Sequence, residues 1–209
     1  MSSLPPLVDP GRIEIKLDRY GVAPATALSD GTILPRVQDY RRRTGTRMYP
    51  MDPNDIRRRL PSGEYFVSRK FDGEFIVLVY RDGQAVALNA VGTVFVGLPW
   101  LTEAAEQLQS AGLTQAIIAG EHHMKFADRR CQVHDVLAVT QQPTSQDKLE
   151  QLQFAAFDIL DLNGELPPIE FAETWSKLEA LLGGGERAVP CLCRLLHRLQ
   201  PQPPSAFAT

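Results

Sequence analysis

Cysteine and lysine are both scarce in this sequence. Its 209 residues include three cysteines, Cys131, Cys191 and Cys193, and only five lysines. A low, odd number of cysteines argues against a disulfide framework and indicates a reducing cytoplasm. The N-terminus lacks the basic start and apolar core of a secretory signal. No apolar run approaches the roughly 20 residues that cross a bilayer, so we expect no membrane association.

The net charge of −3 hides an uneven distribution. Residues 1–70 carry 13 Lys/Arg and 8 Asp/Glu, a net +5, whereas the remainder carries 9 and 17, a net −8. Clustered arginines can neutralise nucleic-acid phosphates, and they can equally form a solvated polar face. The arginines that we expect to contact phosphates are Arg41, Arg42, Arg43, Arg47, Arg57, Arg58 and Arg59.

Strand patterns outnumber helical patterns after residue 64. The stretch EFIVLVYRDGQAVALNAV is split by Asp82-Gly83, which is typical of a hairpin turn. TQAIIAGEHHM and LQFAAFDILDLNG are also predicted strands, whereas WLTEAAEQLQSAG and FAETWSKLEALLGGG carry apolar residues at helical spacing. We predict an α+β fold of mostly antiparallel sheets, flanked by helices over 100–112 and 170–182.

Composition divides the chain into three parts. Residues 1–62 are rich in Pro, Arg and Asp, and we predict an extended Arg-rich lead-in that includes a short helix within MDPNDIRRRLPSG. Residues 63–190 form the main domain. Residues 191–209 are predicted to be a tail in which a Leu/Arg piece forms one or two helical turns and the Pro-rich end is disordered.

The stretch VSRKFDGEF places a lysine just before an Asp-Gly turn. By itself the pattern Lys-x-Asp-Gly is weak, since chance gives it in about one such chain in twenty. Its context adds weight, because Lys70 ends an apolar stretch from which the amine can face a pocket. Partial desolvation beside another cation favours the neutral amine, which is the nucleophilic form.

Two later segments accompany Lys70. Gly120-Glu121 ends the strand AIIAGE, and Phe157 begins Phe-Asp-Ile-Leu in an apolar strand. In this order, the three segments resemble the adenylation domain of the covalent nucleotidyltransferases, which comprise ATP-dependent DNA ligases, RNA ligases and mRNA capping enzymes. KFDG resembles their first motif, IIAGEHH the third, and FAAFDILDLNG the motif called IIIa, in the form typical of DNA ligases. The resemblance covers residues 60–190 and implies a partial nucleotidyltransferase domain over 63–190.

The resemblance implies a role for each matching residue. Lys70 would attack the α-phosphorus of ATP, and Asp72 and Gly73 would shape the turn that places the lysine and the ribose. Glu121 would contact the ribose and the metal region, and Phe157 would stack on the adenine. ATP and Mg²⁺ are the implied cofactors. The implied partner is nicked or broken DNA, sealed by a monomeric cytoplasmic enzyme in repair, replication or recombination.

The sequence also departs from the family pattern. The family has a later Glu-Gly strand that helps to bind the metal and a Lys-x-Lys strand that holds the α-phosphate. Here the last lysine is Lys177, and Glu186 is followed by arginine. We therefore expect a domain that is incomplete at its C-terminus, through truncation or a shifted reading frame. Phe75 stands where the ligases usually have arginine, and Ser68 stands where many DNA ligases have glutamate.

Other functions remain open at this point. An RNA ligase of the same superfamily is one alternative, and a truncated, non-catalytic module that binds a nucleotide or a nucleic acid is another. A plain α+β domain with a chance Lys-x-Asp-Gly is the third. A zinc site built from His122, His123, Cys131 and His134 matches no common ligand spacing, so we expect surface or strand-end histidines.

Overall fold

A computed structural model describes residues 6–61, 63–165, 170–191 and 193–197, with the backbone alone at residues 53, 54, 57 and 193–197. The strands of the described residues are β1 Glu14–Leu17, β2 Tyr20–Pro24, β3 Glu64–Ser68, β4 Glu74–Arg81, β5 Gln84–Asn89, β6 Thr93–Val96, β7 Gln115–Met124, β8 Leu152–Leu162, β9 Ala188–Pro190 and β10 Cys193–His197. The α-helices are α1 Ile33–Gly45, α2 Pro53–Arg59, α3 Pro99–Ser110, α4 Val133–Gln141, α5 Gln146–Glu150 and α6 Phe171–Leu182. None of the described helices is long and apolar enough to cross a bilayer.

Eight strands form one sheet in the order β1-β2-β6-β5-β4-β7-β8-β9. Every neighbouring pair is antiparallel except β8 and β9, which run parallel. Strands β3 and β10 form a separate antiparallel pair. The predicted α+β class with a mostly antiparallel sheet is confirmed.

The hairpin predicted at Asp82-Gly83 joins β4 to β5. Both turn residues have positive φ, 48° for Asp82 and 82° for Gly83. Two positive φ values in a two-residue loop are typical of the turn whose twist matches the flanking strands, and Gly and Asp adopt them at low cost.

Alternate residues of strand β4 enter two separate apolar clusters, one on each face of the sheet. Ile76 and Leu78 pack in the cluster that includes helices α3, α4 and α6, whereas Val77 and Val79 pack in the cluster that includes α1. This alternation follows from the two-residue period of a strand. Leu78 is fully buried, and truncating a leucine to alanine at such a site costs about 2–5 kcal/mol.

Helices α3 and α6 lie where the sequence predicts them, but the apolar stripe of α6 has two uses. Leu178 and Leu182 are fully buried against the core. Phe171 remains 44% exposed, and together with Trp175 it lines a cavity at the start of the helix. One stripe therefore supplies both core and site.

The prediction of a separate lead-in over residues 1–62 is wrong for the described residues. Strands β1 and β2 extend the main sheet, and Ile33 and Val37 of α1 are buried on one of its faces. The sequence signal is weak because β1 has mostly exposed residues and α1 buries only a narrow stripe. The short helix predicted within residues 51–63 is confirmed as α2.

The predicted tail differs from its expected structure in one segment. Residues 193–197 pair with β3 as a strand, whereas the Leu/Arg composition indicated helical turns. Pairing with the edge of β3 decides this segment, because a strand edge offers unsatisfied backbone groups to a neighbour. Residues 192 and 198–209 lie outside the described residues, so the expected disorder of the Pro-rich end stays a prediction.

Candidate active site

Lys70 lies in the loop that connects β3 to β4. Its side chain lines a cavity of about 590 Å³ that is also lined by Glu121 and Phe157. Helix α1, the start of α6 and interior positions of β7 and β8 bound this cavity, which we call the Lys70 cavity. Three of the residues selected from the sequence are thus brought together, although they are far apart along the chain.

Gly73 fixes the Lys70 loop against strand β7. Its backbone N–H donates a hydrogen bond to Glu121 Oε1 at 3.1 Å. A Cβ at this position would clash with the carbonyl oxygen of His122. Glycine is therefore required here by the close approach of two backbone segments.

Glu121 is half-buried at the cavity wall. Burial raises the pKa of its carboxyl, and the Gly73 N–H and the charge of Lys70 oppose the rise only in part. Its cross-strand partners are Phe75 on β4 and Ala155 on β8. The carboxylate therefore faces the cavity from a central strand, whose position is fixed on both sides.

Phe157 owes its position to an irregularity in the sheet. Ala119 pairs with Asp158 and Gly120 pairs with Ala156, so Phe157 is an extra residue between two regular pairs. Such β-bulges redirect a side chain and recur beside active sites. Gly120 permits the close packing beneath, since a Cβ there would clash with the ring of Phe154.

Three aromatic rings form a row along the cavity. Tyr40 stacks on Phe75 with ring centroids 6.1 Å apart, and Phe75 lies 6.3 Å from Phe157 at a tilt of 42°. The Tyr40 hydroxyl donates a 2.7 Å hydrogen bond to Asp158 Oδ2. Burial, and next the charge of Asp158, raise the pKa of Tyr40, which keeps the phenol protonated. The row offers a flat, apolar surface that suits a planar base.

Two residues of α1, Tyr40 and Arg41, also line the Lys70 cavity. The sequence gives no sign of Tyr40 as a site residue, and it indicates Arg41 only as one of several arginines expected to contact nucleic-acid phosphates. The Arg41 guanidinium carbon lies 5.7 Å from the centroid of the Phe75 ring and lines the Lys70 cavity. No local pattern could have placed them there, because α1 reaches the site through tertiary packing.

The two histidines after Glu121 are buried, which corrects the expectation of surface or strand-end positions. His122 Nε2 accepts a 3.2 Å hydrogen bond from Trp100, and His123 stacks on Phe71 with ring centroids 4.2 Å apart. Burial lowers the pKa of His122 to about 3 and that of His123 to about 4. Both rings are therefore neutral packing residues.

A second cavity of about 590 Å³ lies on the other side of the Lys70 loop. Lys70 lines both cavities, whereas Asp72 lines only this second one. Its walls carry more cations than acids, and Glu186 is the other acid beside Asp72. The cationic residues that line it are Arg69, Lys70, Lys125, Arg129 and Arg130. We call it the cationic cavity.

The remaining arginines selected from the sequence are spread over α1, α2 and the segment between them. Arg42 and Arg43 form ion pairs with Asp39 of the same helix, at 2.6 and 2.8 Å. Arg59 lies 3.6 Å from Asp55. Arg47 and Arg58 are exposed, and the side chain of Arg57 lies outside the described part of the chain. Among those of these arginines whose side chains the structure describes, Arg41 alone lines the Lys70 cavity.

A metal site made by the protein alone is absent from the described residues, where no group of three or more His, Cys, Asp or Glu side chains could hold an ion. Mg²⁺ typically binds one or two carboxylates together with substrate phosphates. Two carboxylates line the Lys70 cavity, Glu121 and Asp158, and Asp158 accepts a hydrogen bond from Tyr40. Glu121 fits that second arrangement.

Solved structures with partial similarity to this chain include ligases. The ligase domain of LigD from M. tuberculosis shares 19% sequence identity at a TM-score of 0.45, over 62% of this chain and 39% of that chain. Mycobacterial DNA ligase D, complexed with ATP and MES, shares 17% identity at a TM-score of 0.41, over 62% and 40%. A third structure, Pmar-Lig_Pre, shares 13% identity at a TM-score of 0.44, over 71% and 34%.

The similarity is to ligase domains. This chain spans at most 40% of the length of those three structures. No family model and no curated protein matches the chain.

Proposed function

We propose that this chain is part of an ATP-dependent DNA ligase in which Lys70 carries AMP as a covalent intermediate. One observation carries the proposal: an amine, a carboxylate and an aromatic surface, from Lys70, Glu121 and Phe157, line a single cavity. Pockets of 300–1,000 Å³ are typical of small-molecule sites, and the cavity volume of about 590 Å³ suits a nucleotide.

In the first step, Lys70 Nζ attacks the α-phosphorus of ATP. A P–N bond forms, the P–O bond to the β-phosphate breaks, and pyrophosphate leaves with that electron pair while the amine loses a proton to solvent. The base lies against the Phe157 ring, and Glu121 accepts hydrogen bonds from the ribose hydroxyls. Mg²⁺, held by Glu121 and the phosphates, would supply charge neutralisation.

In the second step, an oxygen of a polynucleotide 5′-phosphate attacks the lysyl-AMP phosphorus and displaces the amine. A 3′-hydroxyl then attacks the activated 5′-phosphate and AMP leaves. Splitting one difficult exchange into such steps is the use of a covalent nucleophile. The cationic cavity borders Lys70, and its cations suit a phosphate on the acceptor strand.

The chemical step is tested with ATP labelled at the α-phosphate, in the presence of Mg²⁺. We expect label on Lys70 as an acid-labile, alkali-stable phosphoramidate, and we expect Lys70→Ala to abolish it. Lys125→Ala is the matched control, because Lys125 lines the neighbouring cationic cavity. Label on another lysine, or label that persists in Lys70→Ala, contradicts the assignment.

The substrate is tested with nicked duplexes. We expect AMP to move from the labelled protein to the 5′-phosphate of nicked DNA, which is the reading favoured by the form of FDILDLNG. Transfer to nicked RNA instead would establish the RNA ligase alternative. ATP binding without any label would establish a non-catalytic nucleotide-binding module.

A further inference from the structure

We propose that Arg41 is the side chain that binds the nucleotide phosphate in the Lys70 cavity. This assignment rests on the proposed function in one respect, namely that a nucleotide occupies this cavity. It adds a binding residue from α1, outside the segments that resemble the nucleotidyltransferases.

The residue at position 75 carries no charge that could bind a phosphate. Phe75 stands on β4 directly opposite Glu121 of β7, at the wall of the cavity. Its ring continues the apolar row between Tyr40 and Phe157, so it offers no charge for a phosphate. Phosphoryl groups are held mainly by cations and hydrogen-bond donors.

Arg41 supplies a cation at this same position. Its guanidinium lies over the Phe75 ring, 5.7 Å from the centroid, and lines the cavity beside Lys70. A guanidinium over an aromatic face is attracted by the ring, which holds it at the cavity wall. Its charge also reaches Glu121, where it acts against the rise in the pKa of that carboxyl.

The other cations of the region have different positions. Arg42 and Arg43 form ion pairs with Asp39 on α1, and they do not line the cavity. Arg69 lines both cavities, and its guanidinium lies over Phe71, 5.2 Å from that ring. Lys70 is the nucleophile, so its amine is consumed when the P–N bond forms.

A phosphate in the Lys70 cavity would therefore have both the nucleophile and a second cation, Arg41, among the lining residues. Arginine remains charged at all physiological pH values, and its planar fork can donate two hydrogen bonds to one phosphate. Lysine at this position would retain the charge but lose the paired geometry.

The test compares AMP with adenosine by isothermal titration calorimetry, which requires binding and no chemistry. In Arg41→Ala we expect AMP affinity to fall by about 10–100-fold and adenosine affinity to change less than about twofold. Arg41→Lys should give an intermediate loss for AMP. Arg42→Ala is the matched control from the same helix, and it should bind both ligands as the wild type does.

Three results would overturn the assignment. These are equal losses for AMP and adenosine in Arg41→Ala, an equal AMP loss in Arg42→Ala, or an AMP loss in Arg69→Ala with none in Arg41→Ala. Its failure is distinct from failure of the proposed function. If the protein binds AMP through Arg41 but never becomes labelled on Lys70, only the proposed chemistry is refuted. If the protein becomes labelled but Arg41→Ala leaves its AMP affinity unchanged, only this inference is refuted.

Discussion

The Gly73 backbone N–H donates a hydrogen bond to Glu121 Oε1 at 3.1 Å, across 48 positions of sequence. This bond attaches the loop that carries Lys70 to the central strand β7. The carboxylate thus has a structural task besides the one proposed for it with a nucleotide. The first two predictions separate these tasks.

Glu121→Gln should stabilise the fold and weaken the nucleotide chemistry. Because burial raises the pKa of Glu121 above its usual 4.5, the ionised carboxyl opposes folding at high pH. This effect disappears at low pH, where the carboxyl is protonated in both the folded and the unfolded protein. The amide oxygen can still accept from Gly73. We expect a higher unfolding midpoint at pH 8, with the gain vanishing towards pH 4, and reduced label on Lys70. Glu106→Gln, exposed on α3, is the control and should change the midpoint little at either pH.

Gly73→Ala should displace the Lys70 loop. Its Cβ would clash with the His122 carbonyl oxygen, and overpacking of this kind typically costs about 1–3 kcal/mol. We expect a lower free energy of unfolding by denaturant titration, together with loss of label on Lys70. Gly31→Ala is the control, since nothing lies within 4 Å of the added methyl. A variant with wild-type stability and labelling would contradict the close approach.

Acid should destabilise the protein through its buried histidines. Burial lowers the pKa of His122 to about 3 and that of His123 to about 4, whereas unfolding restores values near 6.5. Below pH 6.5 the unfolded protein binds protons at these histidines and the folded protein does not, so stability is lost as pH falls towards 4 and 3. Each contributes a slope on the order of 1.4 kcal/mol per pH unit between pH 6 and 5. His122→Gln should reduce the slope measured by denaturant titration.

Phe157→Leu should weaken the binding of adenosine while keeping the apolar volume. Aromatic stacking contributes about 0.5–1.5 kcal/mol beyond burial, so we expect a loss of about 2–12-fold in adenosine affinity by calorimetry. Phe66→Leu is the control, because Phe66 is exposed on β3 and does not line the Lys70 cavity. Unchanged affinity in Phe157→Leu would place the base elsewhere.

DNA binding by the arginines of α1 and α2 should depend steeply on salt and little on sequence, since phosphate contacts release counterions. Replacing both Arg47 and Arg58 by alanine should reduce the slope of log affinity against log salt by about two. Arg12→Ala is the control, because Arg12 is bonded to Thr26 in the N-terminal segment. Binding through phosphates loses much of its affinity between about 50 and about 200 mM salt, so equal affinity at these two concentrations would exclude it.

The sequence predicted the elements whose signals are local. The hairpin at Asp82-Gly83 follows from turn chemistry, strands β7 and β8 from their apolar runs, and helix α3 from its spacing. Helix α4 received no prediction, and the strand at 193–197 was expected to be helical, because pairing with distant β3 outweighs its composition.

For the site, the sequence by itself singled out Lys70, Glu121 and Phe157, because three segments in this order resemble the nucleotidyltransferases. Only the tertiary structure decided which other residues lie beside them. Folding placed Tyr40 and Arg41 of α1 against Phe75, and turned the two histidines after Glu121 inward. The physical reason is that a side chain's neighbours across a sheet or from a packed helix come from distant sequence, where no periodicity or local motif records them.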